Sequence, residues 1–364
     1  MIATTQSSRN SDLQLRVDNL VTAGQTRKFY TGAAWSIVHS GEVAASGVIG
    51  TVDDDPESQP VSSSTRFDMA SLTKPLSAIC LLKSVEHGEL HLLQTVSSIL
   101  PEAAESTCAS ITLRQLATHT SGLPPWKALY EDAERPAYLQ ILSTPLDSEP
   151  GMRYAYSDLG YILLGTCLER ASGSELGELI QARICKPLGL TRTGYLPVTE
   201  PGDVAATRNC PWRGTELVLR GQVHDANAWS MGGVSAHAGV FSTLDDMTRI
   251  TQAILSGRMG RAVPEPLLGR QALALASRNQ ISPQIGGHSI GWFTPPNGML
   301  PGGDLLSAET FGHTGFTGTS LVMDPSSDIG VLLLTNRVFS PAEGTEVLKL
   351  RRLVANLAAG ILCA

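Results

Sequence analysis

The chain has 364 residues, 42% of them hydrophobic and 17% charged, with a formal net charge of −7. That balance allows one large core or two linked ones and excludes a disordered chain. The negative charge, with no basic stripe, argues against a nucleic-acid partner, and the longest apolar run, Ile329 to Leu334, is far too short to cross a bilayer.

In chain order, residues 1–10 read as disordered and Asp12 to Leu20 as a short amphipathic helix. The N-terminus has no apolar stretch behind a basic start, so a cytoplasmic location is expected. Ala34 to His39 reads as a strand, Ser40-Gly41 as a turn and Val43 to Ile49 as its hairpin partner. Thr51 to Ser64, rich in Asp, Pro and Ser, is a loop. A helix follows from about Ser71 to His87, with Leu72, Leu76, Ile79, Leu82 and Val85 in helical period. Pro75 is tolerable in its first turn, where N–H groups lack intrahelical partners, and Gly88 stops it.

A mostly helical stretch comes next. Thr112 caps a helix through Ala117; Ser157 or Asp158 starts another through Ala171, ended by Gly173; Ser174 caps a third, which stops before Pro187. Residues 196–222 read as loop. Ser242 or Thr243 starts a helix with Leu244, Met247, Ile250 and Ile254 on one face, stopped by Gly257. Strand signals return at Ile290 to Phe293, Phe316 to Met323 and Asp328 to Asn336, and Val347 to Leu362 is a closing helix. Two strands at the start and three at the end give an expected α/β (α+β) fold: a five-stranded antiparallel sheet, covered by the N- and C-terminal helices and interrupted by a mostly helical insertion. Residues 1–90 with 285–364 form the expected sheet domain, and 91–284 the inserted domain.

The six cysteines, Cys80, Cys108, Cys167, Cys185, Cys210 and Cys363, make no CxxC pair and are expected to be reduced. With no His/Cys cluster at ligand spacing, neither a metal nor a cofactor is expected.

Three clusters carry chemistry. The first is Ser71-Leu72-Thr73-Lys74. Of the lysines at 28, 74, 83, 127, 186 and 349, only Lys74 has a serine three residues before it. On a helix that spacing puts both side chains on one face, their Cβ atoms ~5–6 Å apart. A serine hydroxyl needs an adjacent base, and a lysine serves if desolvation or a helix N-terminus lowers its pKa toward neutrality. The same N-terminus offers N–H groups to an oxyanion. The competing reading is a capping serine and a surface lysine. The second cluster is Tyr154-Ala155-Tyr156-Ser157-Asp158 at a loop-to-helix junction, where a tyrosine near a lysine can act as general base or acid; otherwise it is a core tyrosine followed by an N-cap. The third runs from Phe311 to Thr319, with His313-Thr314-Gly315 leading to Phe316. Its glycines admit a substrate backbone to a strand edge, a backbone N–H can complete an oxyanion hole, and His313 is either a substrate-binding group or a structural histidine.

Ser71-Leu72-Thr73-Lys74, then Tyr156-Ser157-Asp158, then His313-Thr314-Gly315 resembles the penicillin-recognising serine hydrolases, and within them the class C β-lactamase-related branch: class C β-lactamases, D,D-carboxypeptidases, D-aminopeptidases and lactamase-fold esterases. Further similar stretches are Ile111 to Leu116 running into His119-Thr120-Ser121-Gly122-Leu123, Gly232-Gly233 with Val240-Phe241-Ser242-Thr243, and Gly291-Trp292, so that the likeness spans roughly residues 30 to 360. The resemblance implies a β-lactamase/transpeptidase-like fold with its active site between the two domains. It makes Ser71 the acylated nucleophile, Lys74 its base, Tyr156 the proton relay, and the N–H groups of Ser71 and Phe316 the oxyanion hole. Asp158, His313, Thr314 and Gly315 are then substrate-binding, and His224 and Asp225 belong to a loop that either lines the site or fixes the insertion to the sheet. Asp158 stands where most members have asparagine and accepts hydrogen bonds without donating them when ionised; it can pair with Lys74 or repel an anionic substrate. His313 stands where lactamases have lysine, and a neutral imidazole attracts a carboxylate poorly.

The implied function is a serine hydrolase that cleaves an ester or amide through an acyl-enzyme on Ser71, as an esterase or amidase on small acyl substrates. The alternatives are a D,D-carboxypeptidase or D-aminopeptidase-like enzyme acting on a D-amino-acid peptide, a weak β-lactamase, and a non-catalytic sensor that is acylated by β-lactams without turnover.

Overall fold

Buried, mostly apolar residues run along Gly32–His39 (β1) and Ile329–Thr335 (β5), and in a sheet successive side chains point to opposite faces. Such strands need cover on both sides. In the computed structural model, which describes residues 2–195, 203–208, 210, 218–261, 266–340 and 345–364, they lie side by side at the centre of a five-stranded antiparallel sheet. Its other strands are β2 (Glu42–Gly50), β3 (Phe311–Thr314) and β4 (Ser320–Asp324), in the order β2-β1-β5-β4-β3. Trp35 is paired with Gly47 on one side and Leu333 on the other.

Ala33, Trp35, Ile37, Val331 and Leu333 pack with Leu13, Val17 and Val21 of α1 (Ile2–Thr26). Val347, Leu350 and Val354 of the closing helix, Thr345–Leu362, complete that cluster. The opposite face, with Ala34, Val38, Leu332 and Leu334, joins a larger core that includes the helix α2 (Thr73–Glu86). Almost every residue of α2 is buried, so it is a central helix and not an amphipathic surface one. Between these regions lie α3 (Asp158–Ser172) and α4 (Leu244–Met259); the closing helix is α5. Residues 91–284 hold most of the remaining helices. Within that span α4 packs directly on β1 and β5, covering the sheet from the side opposite α1 and α5.

The structure corrects several sequence expectations. Helix α1 begins at Ile2, not Asp12; with no Pro or Gly before Gly24, a helix anchored at Leu13, Val17 and Val21 extends through the polar turns ahead of it. Ile290 to Phe293 is not a strand. Gly291 has φ +94°, which breaks the extended run, and only Phe293 bridges Gly312. The fifth strand is β3, and residues 315–319 form the tight turn into β4, closed by Gly315 N–H to Thr319 O (2.8 Å). Glu175, not Ser174, caps the helix at Leu176–Ile180, which continues through a π turn, Gln181–Cys185, to Lys186–Leu188. Pro187 follows closely on the π turn, inside the continuing helix and one residue from its end. Helix α4 passes through Gly257 and ends at Gly260, whose φ of +69° suits a C-terminal cap. Much of the loop expected at 196–222 lies outside the described residues.

Among the described residues no cysteine forms a disulfide, and no helix is long and apolar enough to cross a membrane.

Leu13 is fully buried between α1, the sheet and α5. Leu13→Ala should cost roughly 2–5 kcal/mol, read as a lower urea midpoint. A midpoint that does not move would mean that α1 is not part of the core.

Candidate active site

Ser71 sits in a single 3-10 turn, Ala70–Leu72, at the entrance to α2. Ala70 holds a positive φ of +46°, uncommon for a residue with a side chain. Asp68 secures this turn: its Oδ1 accepts the Ala70 N–H and its Oδ2 the His224 N–H, both at 2.8 Å. Burial pushes the Asp68 carboxyl up to about 6, against the pull of those two donors. The strand end on the far side is attached to the same turn. Thr317 Oγ1 donates to Asp68 O (2.7 Å) and Thr319 Oγ1 to Met69 O (3.1 Å). Gly315 lies so close that a Cβ there would sit 2.1 Å from Thr319 Oγ1 and 2.4 Å from Met69 O; no other residue fits without displacing the backbone.

Lys74, three residues on from Ser71, has no exposed surface. The surface-lysine reading is therefore wrong, because α2 is buried all round. Three oxygens surround its Nζ: Ser71 Oγ at 3.0 Å, the His237 carbonyl at 3.1 Å and Asp158 Oδ1 at 2.7 Å. Asp158 is the first residue of α3, where the helix dipole favours a carboxylate. Ser157 caps that helix, accepting from Gly160 N–H (3.2 Å) and donating to Pro124 O (2.6 Å). Burial pulls the Lys74 ammonium down, but Asp158 and Tyr156 together outweigh it and the net direction is up. The sequence expectation of a lysine depressed toward neutrality is thus corrected: the resting side chain is an ammonium, held by its carboxylate.

Tyr156 stands beside this pair, its ring 4.8 Å from Lys74 Nζ and its hydroxyl within hydrogen-bonding reach of Lys74 and Ser71. Burial raises the phenol, and Lys74 opposes that rise only in part. The ring is fixed from behind by His119, at a centroid distance of 4.3 Å. His119 has φ +56°, and its Nδ1 accepts the Ser157 N–H at 2.9 Å. It thereby connects Tyr156 to the cap of α3. The sequence reading quoted His119 without giving it a part. Its signal was a histidine in a turn six residues before Pro125, with nothing to indicate what it would face.

His313 is not where a substrate-binding role requires. It is fully buried, stacked on Phe293 at 4.3 Å and lying behind Tyr156 at 5.9 Å, and it does not line the cavity. Its Nδ1 accepts the Thr314 N–H (3.0 Å), and burial, then Lys74, depress its pKa well below the ordinary range. His313 is a neutral packing group. The residues after it do reach the site: Thr314, Gly315 and Phe316 line a cavity of about 460 Å³ with Ser71, Tyr156, Asp158, His224 and Asp225. Phe316 is 57% exposed at its rim.

Asp225 caps the short helix Ala226–Ser230 and accepts from His237 Nε2 at 2.8 Å. Burial pushes its carboxyl up, but His237 and the Ala228 N–H hold it down at about 2. Ligand atoms of Asp158, Asp225 and His237 approach within 4.8 Å of one another. Asp158 already pairs with the Lys74 ammonium and Asp225 with the His237 ring, so a cation there would have to compete with both partners. Trp126, Met299, Arg337, Leu348 and Arg351 also line the cavity and were missed. They lie outside the three motifs, Arg337 on a 3-10 turn and Leu348 and Arg351 on α5. Arg351 left one trace, a charged residue on the apolar stripe of a helix.

Comparison with known proteins gives the family and the fold. The family profile described as Beta-lactamase matches residues 17–356. A curated relative from Escherichia coli, named "Putative D-alanyl-D-alanine carboxypeptidase", is 34% identical over 316 residues, covering 78% of this chain and 72% of the relative. A protein of the same name from Salmonella typhi is 32% identical over 315 residues, covering 78% of this chain and 72% of its own. Among solved structures, EstCE1, a hydrolase with promiscuous acyltransferase activity, superposes with a TM-score of 0.78 at 22% identity, covering 95% of this chain and 99% of its own. The octameric penicillin-binding protein homologue from Pyrococcus abyssi has a TM-score of 0.72 at 21% identity, covering 90% of this chain and 74% of its own. These two likenesses concern the fold.

If Asp158 is what keeps Lys74 protonated, Asp158→Asn leaves burial to act on the ammonium with less opposition. The rising limb of the pH profile for Ser71 labelling by a fluorophosphonate should then move to lower pH. A limb that stays in place would separate Asp158 from the state of Lys74.

Proposed function

We propose that this chain, which belongs to the β-lactamase family of serine hydrolases, cleaves small esters or amides through an acyl-enzyme on Ser71. The observation that carries this reading is the 3.0 Å contact between Lys74 Nζ and Ser71 Oγ at the wall of the cavity, with the Tyr156 hydroxyl in reach of both.

With Lys74 an ammonium and Tyr156 a phenol, the pair holds one proton too many to act as a base. Loss of that proton, shared between the two groups, gives the active form: a phenolate stabilised by the adjacent ammonium. Ser71 Oγ then bonds to the substrate carbonyl carbon as its proton passes to Tyr156. The oxyanion is held by the backbone N–H groups of Ser71 and Phe316. Collapse breaks the bond to the leaving group, which takes the proton from Tyr156. In the second half a water gives its proton to Tyr156 and attacks the acyl carbonyl, and Ser71 leaves with that proton. Asp158 takes no proton in this scheme. It sets the pH at which the pair becomes a base.

A second reading, a D,D-carboxypeptidase acting on a D-alanyl peptide, is favoured by the name that the curated relatives carry. Intact-mass analysis after incubation with an acetyl ester, a D-alanyl peptide and a penicillin separates the two, since each acylates Ser71 with its own mass. An adduct that never decays would point instead to the non-catalytic sensor.

Ser71→Ala should lower p-nitrophenyl acetate turnover by at least about 1,000-fold and abolish the acyl adduct, with the thermal unfolding temperature unchanged. Turnover near the wild-type rate in this variant would sink the acyl-enzyme mechanism.

A further inference from the structure

Three polar groups outside the reacting set form a chain of their own. The His237 side chain is buried, and both ring nitrogens are occupied: Nε2 lies 2.8 Å from Asp225 Oδ1 and Nδ1 2.7 Å from Ser235 Oγ. Asp225, held down at about 2, is a carboxylate at neutral pH and can only accept, so Nε2 is the donor of that bond. Serine, histidine and aspartate in contact match the parts of a catalytic triad, but the ends of this chain are reversed. Its serine is buried, and the aspartate is the member that lines the cavity of Ser71. A second nucleophile is therefore not what the chain provides.

What it supports is the backbone of His237, whose carbonyl accepts from Lys74 Nζ at 3.1 Å. An ammonium has three donors. Asp158 Oδ1 and His237 O take two of them, which leaves the third for Ser71 Oγ. The direction of that third donor depends on where the carbonyl is held. Residues 232–239 form no helix or strand, so no ladder fixes their carbonyls. Rich in glycine and alanine, the segment has little to pack with and much entropy to lose on ordering. His237 is its largest side chain, and it is tied to a well-placed partner. Asp225 Oδ1 also accepts the Ala228 N–H (2.8 Å) as the cap of the helix Ala226–Ser230. The residue before it, His224, donates its N–H to Asp68, which holds the Ala70 N–H in the turn of Ser71. Hydrogen bonds and short stretches of chain thus close a ring that runs from the Ser71 turn through Asp68, Asp225, His237 and Lys74 and back to Ser71.

We propose that Asp225 and His237 are positioning residues, whose mutual hydrogen bond fixes the His237 carbonyl and so aims Lys74 Nζ at Ser71 Oγ. This assignment rests on the serine-hydrolase reading of the same cavity. It gives Asp225 a part in the reaction that needs no contact with substrate.

Two neutral replacements of Asp225 test it. Asp225→Ser keeps a cap for the short helix but is too short to reach His237, whereas Asp225→Asn offers an amide oxygen to both donors. Both remove the same charge, so the difference between them reads the hydrogen bond. The rate of Ser71 labelling by a fluorophosphonate is taken at each protein's pH plateau and per site that finally labels, which leaves unfolded chains out. Asp225→Ser should slow labelling by roughly 10- to 100-fold, and Asp225→Asn should recover most of that loss. His237→Ala should be as slow as Asp225→Ser, and the double variant no slower than the worse of the two. Equal rates in Asp225→Ser and Asp225→Asn, or losses that add in the double variant, would overturn the assignment. The 15N signal of the Lys74 ammonium, identified by its loss in Lys74→Arg, reads the geometry without turnover. It should shift in Asp225→Ser and return toward its wild-type position in Asp225→Asn; the same position in both variants would also overturn the assignment. That response in a protein whose Ser71 never labels would instead sink the proposed hydrolytic function and spare the positioning pair.

Discussion

A lysine ammonium with no exposed surface is the constraint on which the rest of the site depends. Burying such a charge is expensive unless oxygens replace the water it gives up. Here they come from three separate segments: the turn that carries Ser71, the backbone at His237, and Asp158 at the start of α3. Each segment is in turn held by its own polar contacts. Ser77 Oγ donates to Ala236 O (3.0 Å), and the Val240 N–H donates to Thr73 Oγ1 (3.2 Å), so residues 236–240 follow the first turns of α2. One buried charge thereby gathers parts of the chain that share no secondary structure. Removing it would leave three acceptors without their common donor.

Much of this could be read from the sequence, and what could not has physical causes. The strands and helices dominated by local pattern, such as β1, β2, α3 with its Ser157 cap and Gly173 stop, and the helix that Thr112 caps, fell where periodicity and cap chemistry put them. The failures came where tertiary contact overrides local signal. Ile290 to Phe293 has strand composition but is broken by Gly291. Phe311 to Thr319 reads as one element but contains an edge strand and a tight turn. At the site, Ser71, Lys74 and Tyr156 were visible because their spacing is local. The state of Lys74 was not, because its counter-charge is 84 residues away in the sequence and its sign depends on burial that no pattern reveals. Arg351 was hidden for the same reason.

The aromatic region behind Tyr156 shows a different economy. His119, His288 and His313 are all buried, and all are depressed by burial, His288 to about 3. Each leaves its Nε2 without a hydrogen-bond partner. They act as flat, neutral rings in an aromatic stack, with His119 edge-on to His288 at 4.8 Å and Phe293 stacked on His313. A positive charge on any of them would lie close to the Lys74 ammonium, so their neutrality preserves the field in which that ammonium works.

The hooks from Thr317 and Thr319 to Asp68 and Met69 join positions about 250 residues apart in the chain. A growing polypeptide therefore presents the serine of its active centre long before the strand edge that supports it exists. Contacts of such separation are slow to form, and β1 likewise waits for β5, some three hundred residues later, to complete its pairing. During synthesis the nascent chain carries Ser71 without the edge at residues 315–319 that supports its turn, and the candidate site is assembled only with the last fifth of the molecule. The reactive centre is in this way a product of complete folding, and a chain truncated during synthesis is also a silent one.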